Sequence, residues 1–333
     1  MRMMIMRKGL IVTLAWHMCA LGEEAGNSSV FGNWAMQFPD GSPGWLSLQK
    51  TTSGVEGEFW SVGAPRQLQE LIIEGDRIRF DRKYRIGPPE FVGGPPTGNR
   101  VPCRHEGKVD GDRMKLFLHN PESGGRQTIR GKRMPPLPPR PNLSTLEFDD
   151  PIVLFNGRDL TGWRLANPEQ INGWRVVEGH LVNTTPKLDF QPYSRYGNLR
   201  SDGEFEDFRL TLEFNVPEGG NSGIYLRGVY EVQVVDRDSR MQGKMGVGAV
   251  FSRIAPRVNA GKPGGEWQRY EVILVDRHIT VVLNGETVID NEPLRGATNG
   301  GLMADETVPG PIYLQGDHTA VQYRNLLLYP VRR

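Results

Sequence analysis

The sequence predicts an all-β protein: a small antiparallel β-barrel or sandwich, followed by a larger β-sandwich of the jelly-roll kind. The first observation is composition, because 41 Gly and 25 Pro among 333 residues are too many for a helical bundle, where both residues are costly. The second observation is pattern, because apolar and polar residues alternate in short runs between turn signals, as they do in half-buried strands. The seven Trp, nine Tyr and thirteen Phe residues argue against disorder.

The chain begins with a segment that is typical of a signal peptide. Residues 1–22 start with basic residues, continue with the apolar run 9–15 and end in the small-residue site 20–22, which is the order of a secretory signal. Two alternatives remain open: a lipoprotein anchored at Cys19, or a cytosolic protein whose start is assigned too early. We expect a periplasmic or secreted protein, and no later apolar run is long enough to span a membrane.

Charge and cysteine content exclude several classes of protein. The net charge of +1 provides no basic field, so we expect no nucleic-acid partner. Once the predicted signal peptide is removed, Cys103 is the last remaining cysteine, and neither a disulfide framework nor a zinc motif is predicted. We expect Cys103 to be a small buried hydrophobic residue. The sequence identifies no protein partner.

Residues 30–133 are predicted to form the small first domain, with roughly six to eight strands. The tripeptides at 75–77 and 111–113, both Gly-Asp-Arg, each precede an alternating segment and predict hairpin turns. His105 and His119 are expected at the surface. The domain carries no recognisable catalytic motif.

Residues 134–147 are predicted to be a linker. Five of the seven residues 135–141 are prolines, and such a segment favours an extended polyproline conformation that acts as a semi-rigid spacer. A second stretch rich in proline and glycine, residues 87–98, predicts a long loop within the first domain.

Residues 148–333 carry the densest strand pattern. Residues 208–214 alternate strictly, with Phe and Leu side chains on one face. Residues 270–274 and 279–283 predict two further strands, and Asn284-Gly285 is the strongest short signal for a hairpin turn. No helical period of useful length is present, which favours a two-sheet jelly-roll sandwich.

Alternation also predicts which polar side chains share a face of this sandwich. Val232 and Val234 must point to the core, so Glu231 and Gln233 point outward. The same rule turns four further side chains outward: Tyr225, Arg227, Tyr313 and Gln315. A concave outer face of this composition suits a sugar, because aromatic rings cover C–H surfaces and polar groups bind hydroxyls. The alternative is an ordinary solvated sheet face.

An ordered set of segments carries a resemblance to a known family. The segments are 154–163 (LFNGRDLTGW), 174–181 (WRVVEGHL), 205–208 (FEDF), 220–224 (GNSGI), 230–236 (YEVQVVD), 265–267 (GEW), 283–285 (LNG), 310–315 (GPIYLQ) and 323–326 (YRNL). In this order they resemble the 3-keto-disaccharide hydrolase domain across residues 150–331. The resemblance implies the fold of concanavalin A-like lectins and glucanases, and action on 3-keto sugars in the periplasm or outside the cell.

The sequence departs from the family pattern at two places. Residues 183–202 are longer than the corresponding segment of many relatives. The family's Asp-His-Gly is shifted by one position here, to Gly-Asp-His-Thr at residues 316–319. The shift leaves the placement of His318 open.

The resemblance implies a reaction that needs a base near C2 of a 3-keto sugar. The C3 carbonyl acidifies the C2 proton, its removal gives an enolate that expels the C1 oxygen, and water then adds at C1. Glu231 and His318 are the candidate bases, and Arg227 or Arg324 is expected at the enolate oxygen. The residues predicted to bind the substrate are Tyr225, Gln233, Tyr313, Gln315, Arg324 and Asn221.

No cofactor is predicted, and two other functions remain open. A divalent cation is an open alternative, with Asp236 (beside Asp238) or Asp317 (beside His318) as weak candidate ligands that lack diagnostic spacing. The sequence contains no phosphate-binding Gly-rich loop, nucleophile elbow or zinc motif. The chain is then either a carbohydrate-active enzyme, a non-catalytic carbohydrate-binding sandwich, or a purely structural or protein-binding module.

Overall fold

The computed structural model describes residues 29–61, 63–85, 98–119, 121, 124–187 and 195–332. The predicted signal peptide lies outside these residues, as do residues 87–97 of the predicted loop. The described part of the chain is built of strands and turns, with short 3-10 helices that include Leu143–Thr145 and Gly243–Met245. None of the described helices has the length and apolarity needed to cross a lipid bilayer. The predicted all-β fold class is confirmed.

The first part of the chain forms an antiparallel sheet that curls into a barrel. Its strands are β1 Gly32–Gln37, β2 Pro43–Thr51, β3 Gly54–Trp60, β4 Arg66–Gln67, β5 Gln69–Glu74, β6 Arg77–Arg85, β7 Arg100–Asp110, β8 Arg113–His119 and β9 Arg126–Met134. Neighbouring strands follow the order β4-β3-β2-β1-β9-β8-β7-β6-β5. The last strand in the sequence, β9, therefore pairs with the first, β1. Only Leu68 separates the two ends of this order, and its N–H donates to the Gly57 carbonyl at 2.8 Å.

The two hairpins predicted in the first part are confirmed. The turn at residues 75–76 joins β5 to β6, and the turn at residues 111–112 joins β7 to β8. Gly75 and Gly111 have φ values of 60° and 56°, which is the left-handed conformation that such tight turns require and glycine adopts without strain.

The surface prediction for His105 is wrong. The side chain is fully buried in the barrel and stacks on Phe80, with 4.6 Å between the ring centroids. Its Nε2 lies 3.1 Å from the Tyr84 hydroxyl and its Nδ1 lies 3.2 Å from the Cys103 carbonyl. These partners satisfy both ring nitrogens, and burial lowers the pKa of His105 to about 3. His119 lies at the surface, as predicted.

Residues 134–147 run along the second part of the chain rather than standing clear of it. The Arg277 guanidinium donates to the Pro135 carbonyl at 3.2 Å and also to the Pro136 carbonyl. The Asn291 amide donates to the Pro141 carbonyl at 2.9 Å. The proline-rich segment is therefore fastened to the sandwich at both of its ends.

The second part is a sandwich of two sheets. Its strands are β10 Ile152–Val153, β11 Trp163–Leu165, β12 Trp174–Val177, β13 His180–Asn183, β14 Leu199–Phe205, β15 Phe208–Asn215, β16 Asn221–Leu226, β17 Tyr230–Val235, β18 Gln268–Val275, β19 His278–Leu283, β20 Glu286–Pro293, β21 Gly310–Leu314 and β22 Val321–Pro330. The larger sheet has the order β12-β13-β22-β15-β18-β19-β20, with β10 paired to β22, and the smaller has the order β11-β14-β21-β16-β17.

A continuous apolar core fills the space between the two sheets. Phe208, Leu210 and Leu212 of β15 point into it, as the strict alternation of this segment predicts. The smaller sheet contributes the side chains of Ile224 and Val232 from the opposite side. The predicted hairpin at Asn284-Gly285 is confirmed between β19 and β20. The polar face of the smaller sheet, which points away from this core, carries the candidate site.

Candidate active site

Three neighbouring strands of the smaller sheet bring the candidate side chains together. In the register of β16, β17 and β21, Tyr225 lies directly opposite both Glu231 and Tyr313, and directly opposed residues point to the same face. Their neighbours Ile224 and Leu314 belong to the apolar core. Glu231, Tyr225 and Tyr313 therefore share the face that points away from the core.

This face is roofed by loops, not open as a solvated groove. The Gln233 amide donates to the Met245 carbonyl at 3.0 Å, and the Tyr225 hydroxyl donates to the Asn299 carbonyl at 2.7 Å. Only 3% of Glu231 is exposed. The expectation of an exposed concave face is thus corrected: the loops around Met245 and Asn299 exclude water from the acidic centre of the site.

Gly223 gives Glu231 the space in which its carboxyl group lies. Gly223 is on the same face as Glu231 and pairs with Gln233. A Cβ atom at position 223 would overlap the Glu231 Oε1 and lie 2.9 Å from its Cδ. The carboxyl group therefore crosses the backbone of β16 at the one residue that has no side chain there.

We expect Gly223→Ala to displace the Glu231 carboxyl group and to lower activity by about 10²-fold, the loss typical of a misplaced catalytic group. The overlapping atoms belong to the buried Glu231 side chain and not to the backbone, so we expect the variant to fold with a loss of stability of about 1–3 kcal/mol, the usual cost of overpacking. Steady-state kinetics and thermal unfolding of the same variant check both points. Gly265→Ala is a control for loss of stability alone: a Cβ there meets no atom within 4 Å, but the φ of 89° strains any residue other than glycine, so it should lower the melting temperature and leave kcat unchanged. A Gly223→Ala enzyme with unchanged kcat contradicts this prediction.

The hydrogen bonds of Tyr225 fix the protonation state of Glu231. Tyr225 has one hydroxyl proton and gives it to the Asn299 carbonyl, which can only accept. The Tyr225 hydroxyl also interacts with the Glu231 carboxyl group, and this interaction partly opposes the rise in the Glu231 pKa. A hydroxyl whose proton is given to Asn299 can accept a hydrogen bond there from a protonated carboxyl group. Burial raises the pKa of Glu231 well above its usual range, and the charge of Asp317 adds to this effect. Burial and the bond from Tyr225 to Asn299 therefore both favour the neutral form of Glu231.

A histidine–aspartate pair stands at the more exposed edge of the same face. The His318 Nδ1 lies 2.6 Å from the Asp317 Oδ1, and 22% of the His318 side chain is exposed. Asn198 holds this turn, because its Oδ1 accepts the Gly316 and Asp317 N–H groups at 2.6 and 3.0 Å. Its amide donates to the Tyr313 hydroxyl at 2.6 Å. Asp317 acts here as a partner of His318, and Asn198 is a residue that sequence reasoning missed.

Comparison with known proteins places this sandwich in a family. A family model described as the 3-keto-alpha-glucoside-1,2-lyase-like domain matches residues 150–328, which is more than half of the chain. The chain belongs to this family. In the following, residues 150–328 are called the lyase-like domain.

Individual relatives are distant. The chain is 23% identical over 172 residues to a 3-keto-disaccharide hydrolase of Bacteroides thetaiotaomicron; the match covers 44% of this chain and 59% of that protein, less than two thirds of its length. A candidate glycosyl hydrolase of Parabacteroides distasonis is 19% identical, with 55% of this chain and 94% of that chain covered and a TM-score of 0.44. A second one from the same species is 26% identical, with 59% and 93% covered and a TM-score of 0.43.

Two acceptor atoms of the lyase-like domain lack hydrogen-bond partners beside the acidic centre. They are the Gln315 Oε1 and the Asn221 Oδ1, both buried and without a partner in the described structure. The Gln315 N–H donates to the Gly223 carbonyl at 2.9 Å, so Gln315 lies next to Gly223 across the strands. Buried acceptors of this kind require donors, and the hydroxyl groups of a sugar are suitable ones.

The structure does not place Arg227 beside Glu231. Arg227 follows the end of β16 with φ of 56°, so the alternation of the strand does not extend to it. Its guanidinium is buried and donates to the backbone carbonyls of Glu306 and Val308 at 2.6 to 3.2 Å. The expectation that Arg227 points outward beside Glu231 is corrected, and its Nε and Nη2 donors are already used by the backbone.

The structure also separates Arg324 from the rest of the candidate site. Arg324 belongs to β22 in the larger sheet, where it pairs with Glu213 at 2.6 Å and stacks over Trp267 at 3.9 Å. A side chain that points outward from the larger sheet lies on the opposite surface of the sandwich from Glu231. The sequence suggested Arg324 for the enolate oxygen and for substrate binding, but it does not determine the sheet to which β22 belongs.

The two weak metal candidates have structural partners. The Asp236 carboxylate accepts the Gly219 and Gly264 N–H groups at 2.8 and 3.0 Å and thereby ties two loops together. Asp317 is paired with His318, as described above. Within the described ranges, no three His, Cys, Asp or Glu side chains are grouped in a way that could hold a metal ion.

Proposed function

We propose that the lyase-like domain cleaves the glycosidic bond of 3-keto-glycosides by removing the proton at C2. The observation that carries this proposal is the arrangement of one neutral acid, Glu231, and one histidine–aspartate pair, Asp317 and His318, on the same roofed sheet face. The family model and the name of the relative from Bacteroides thetaiotaomicron support the choice of substrate.

His318 is the general base of the proposed reaction. The Asp317 carboxylate accepts the Nδ1–H of His318, which leaves the lone pair on Nε2 and holds the ring in one orientation. The C3 carbonyl of the sugar makes the C2 proton acidic, and His318 takes this proton. The electrons of the C2–H bond then form the enolate of the C2–C3–O unit.

Glu231 supplies the proton-donating group of the same step. Glu231 has one proton when it is neutral; in the proposed step this proton turns from the Tyr225 hydroxyl to the C3 oxygen as negative charge develops there. The Tyr313 hydroxyl accepts from Asn198, so its own proton is available as a second donor. This arrangement replaces the arginine that the sequence suggested for the enolate oxygen.

The enolate then expels the C1 oxygen, and the C1–O bond breaks while a C1–C2 double bond forms. The proton held by His318 passes to the leaving oxygen, which restores the base. Addition of water across C1 and C2 completes a net hydrolysis; release of the unsaturated sugar before this step makes the enzyme a lyase. Neither route needs the two flanking carboxylates of ordinary glycosidases.

Substrate hydroxyls are held by the unpartnered acceptors of Gln315 and Asn221. Gln233 holds the covering loop and does not bind the sugar, because its amide donates to the Met245 carbonyl. No step of the proposed reaction requires a cofactor. The predicted signal peptide at residues 1–22 leads us to propose that the enzyme acts in the periplasm or outside the cell.

The deciding experiment compares a 3-keto-glucoside with the same glucoside before oxidation, in ordinary and in deuterated water. We expect turnover of the 3-keto compound alone, with solvent deuterium at C2 of the released sugar. Glycan binding without turnover or exchange supports a non-catalytic binding sandwich and overturns the proposal. Equal turnover of the unoxidised glucoside overturns the C2 mechanism.

A further inference from the structure

Two tryptophans of the barrel contact a loop of the lyase-like domain. Trp45 and Trp60 are stacked, with 5.9 Å between their ring centroids, and Gly296 lies against both rings. Gly296 has φ of 75°, and a Cβ atom there would overlap Trp60 and lie 2.8 Å from the Trp45 Cγ. The Trp60 Nε1–H donates to the Ala297 carbonyl at 3.2 Å. The loop therefore packs so tightly on the barrel that only glycine fits at position 296.

The Ala297 carbonyl is held from both parts of the chain. The Arg253 guanidinium, which comes from the lyase-like domain, donates to it at 2.6 Å and to the Gly63 carbonyl of the barrel at 2.9 Å. The same guanidinium lies 4.7 Å above the Trp60 ring. Charge-assisted hydrogen bonds of this kind are stronger than neutral ones, so the carbonyl has little freedom to move while Trp60 and Arg253 are in place.

The next residues of this loop reach the acidic centre. The Thr298 Oγ1 accepts the Glu231 N–H at 2.9 Å, and Thr298 donates to the Val229 carbonyl at 3.0 Å. The Asn299 carbonyl accepts the Tyr225 hydroxyl at 2.7 Å. A Cβ at Gly300 would lie 2.6 Å from the same hydroxyl. The segment 297–300 thus fixes the backbone of Glu231 and the hydroxyl group to which the Glu231 carboxyl donates.

We propose that Trp60 is a positioning residue for the active site, and that the barrel serves to brace the segment 296–300 over Glu231 and Tyr225. The inference rests on the proposed function for its catalytic consequence, whereas the bracing itself does not depend on which substrate is cleaved. It assigns the first part of the chain a role in catalysis rather than in sugar binding.

The loop has a second anchor inside the lyase-like domain. Glu306 is almost completely buried, accepts the Gly296 N–H and lies 3.5 Å from Arg277. This anchor remains when the barrel contact is weakened. We therefore expect loss of the Trp60 contact to loosen the segment 297–300 locally and to leave the sandwich folded.

The first test measures hydrogen–deuterium exchange in the full chain. In Trp60→Ala, exchange of the Thr298 and Glu231 amides should rise by at least about tenfold, since local opening governs their protection. The matched control is Phe59→Leu, because Phe59 precedes Trp60 in the same strand but points into the barrel core. This control should destabilise the barrel and leave the two amides protected.

The second test measures kinetics on the 3-keto substrate. Trp60→Ala should lower kcat by about ten- to a hundredfold through misplacement of the acid, and the alkaline limb of the pH profile should move to lower pH as Glu231 becomes solvated. Trp60→Phe keeps the ring packing but loses the N–H donor. Its kcat and its alkaline limb should lie between those of the wild type and those of Trp60→Ala. Phe59→Leu should keep the wild-type pH profile.

The outcomes separate the brace from the proposed reaction. A wild-type enzyme that does not act on 3-keto substrates, combined with faster exchange in Trp60→Ala, overturns the reaction and retains the brace. Unchanged exchange at Thr298 and Glu231 in folded Trp60→Ala overturns the brace. If Trp60→Ala does not fold, the same readouts in Trp60→Phe decide, and wild-type exchange together with a wild-type pH profile overturns the proposal.

Discussion

His318→Gln is expected to lower kcat on a 3-keto-glucoside by about 10²–10⁴-fold, the usual contribution of a positioned general base. The side chain is partly exposed and lies at an edge of the site, so the free energy of unfolding should change little. Exchange of the C2 hydrogen with deuterated water should fall together with kcat, because the same group removes the proton in both processes. Chemical quench and NMR analysis of the recovered sugar measure both rates.

Two further variants make this test specific. Asp317→Asn keeps the shape of the pair but loses the acceptor that orients His318, and it should show a large part of the same defect. His180→Gln is the matched control, because His180 stacks edge-on against Trp267 on the far side of the sandwich and should retain wild-type kcat. Undiminished C2 exchange in His318→Gln would assign the base to another residue.

The parts of the site that follow from strand alternation could be predicted from the sequence. Tyr225, Glu231 and Tyr313 share a face because each belongs to a strand whose opposite side is apolar. This is a local property with a period of two residues. The resemblance to the family then suggested the reaction in which these side chains could act, removal of the C2 proton of a 3-keto sugar.

The parts that depend on tertiary contacts could not be predicted. The loops that cover Glu231 come from segments around Met245 and Asn299, which are distant from Glu231 in the sequence. No local sequence pattern predicts that these loops cover it. Arg227 departs from its strand through a positive φ value. Arg324 lies in the other sheet, and only strand order determines that assignment.

The roof changes the role that sequence reasoning gave to Glu231. An exposed glutamate on a solvated face is ionised at neutral pH and is a suitable base. The structure buries the same side chain, and Tyr225 beside it gives its proton to the Asn299 carbonyl, so the neutral form of the carboxyl group is favoured and can act as a donor. In the proposed reaction the base is then the less buried His318. Two titratable groups with such different surroundings can hold opposite roles in one reaction.

Glu231→Gln is expected to lower kcat by at least about 10²-fold, because an amide cannot release a proton and is a weaker donor to an oxyanion. The fold should tolerate the change, since a neutral amide replaces a neutral acid of nearly the same shape. The matched control is Glu213→Gln, which removes a carboxylate paired with Arg324 on the larger sheet and should leave kcat unchanged. Wild-type turnover by Glu231→Gln would contradict the assigned role.

The same variant has a pH-dependent effect on stability whose sign is fixed by the pKa of Glu231. Burial raises this pKa in the folded protein well above the value of 4.5 that applies to the unfolded chain. Above pH 4.5 the unfolded chain releases a proton that the folded protein keeps, so the free energy of unfolding of the wild type falls as pH rises, until the folded pKa is reached. Gln has no such proton. Urea unfolding at pH 5 and pH 8 should therefore show Glu231→Gln gaining stability relative to the wild type at the higher pH, and a relative loss there would mean that Glu231 is ionised in the fold.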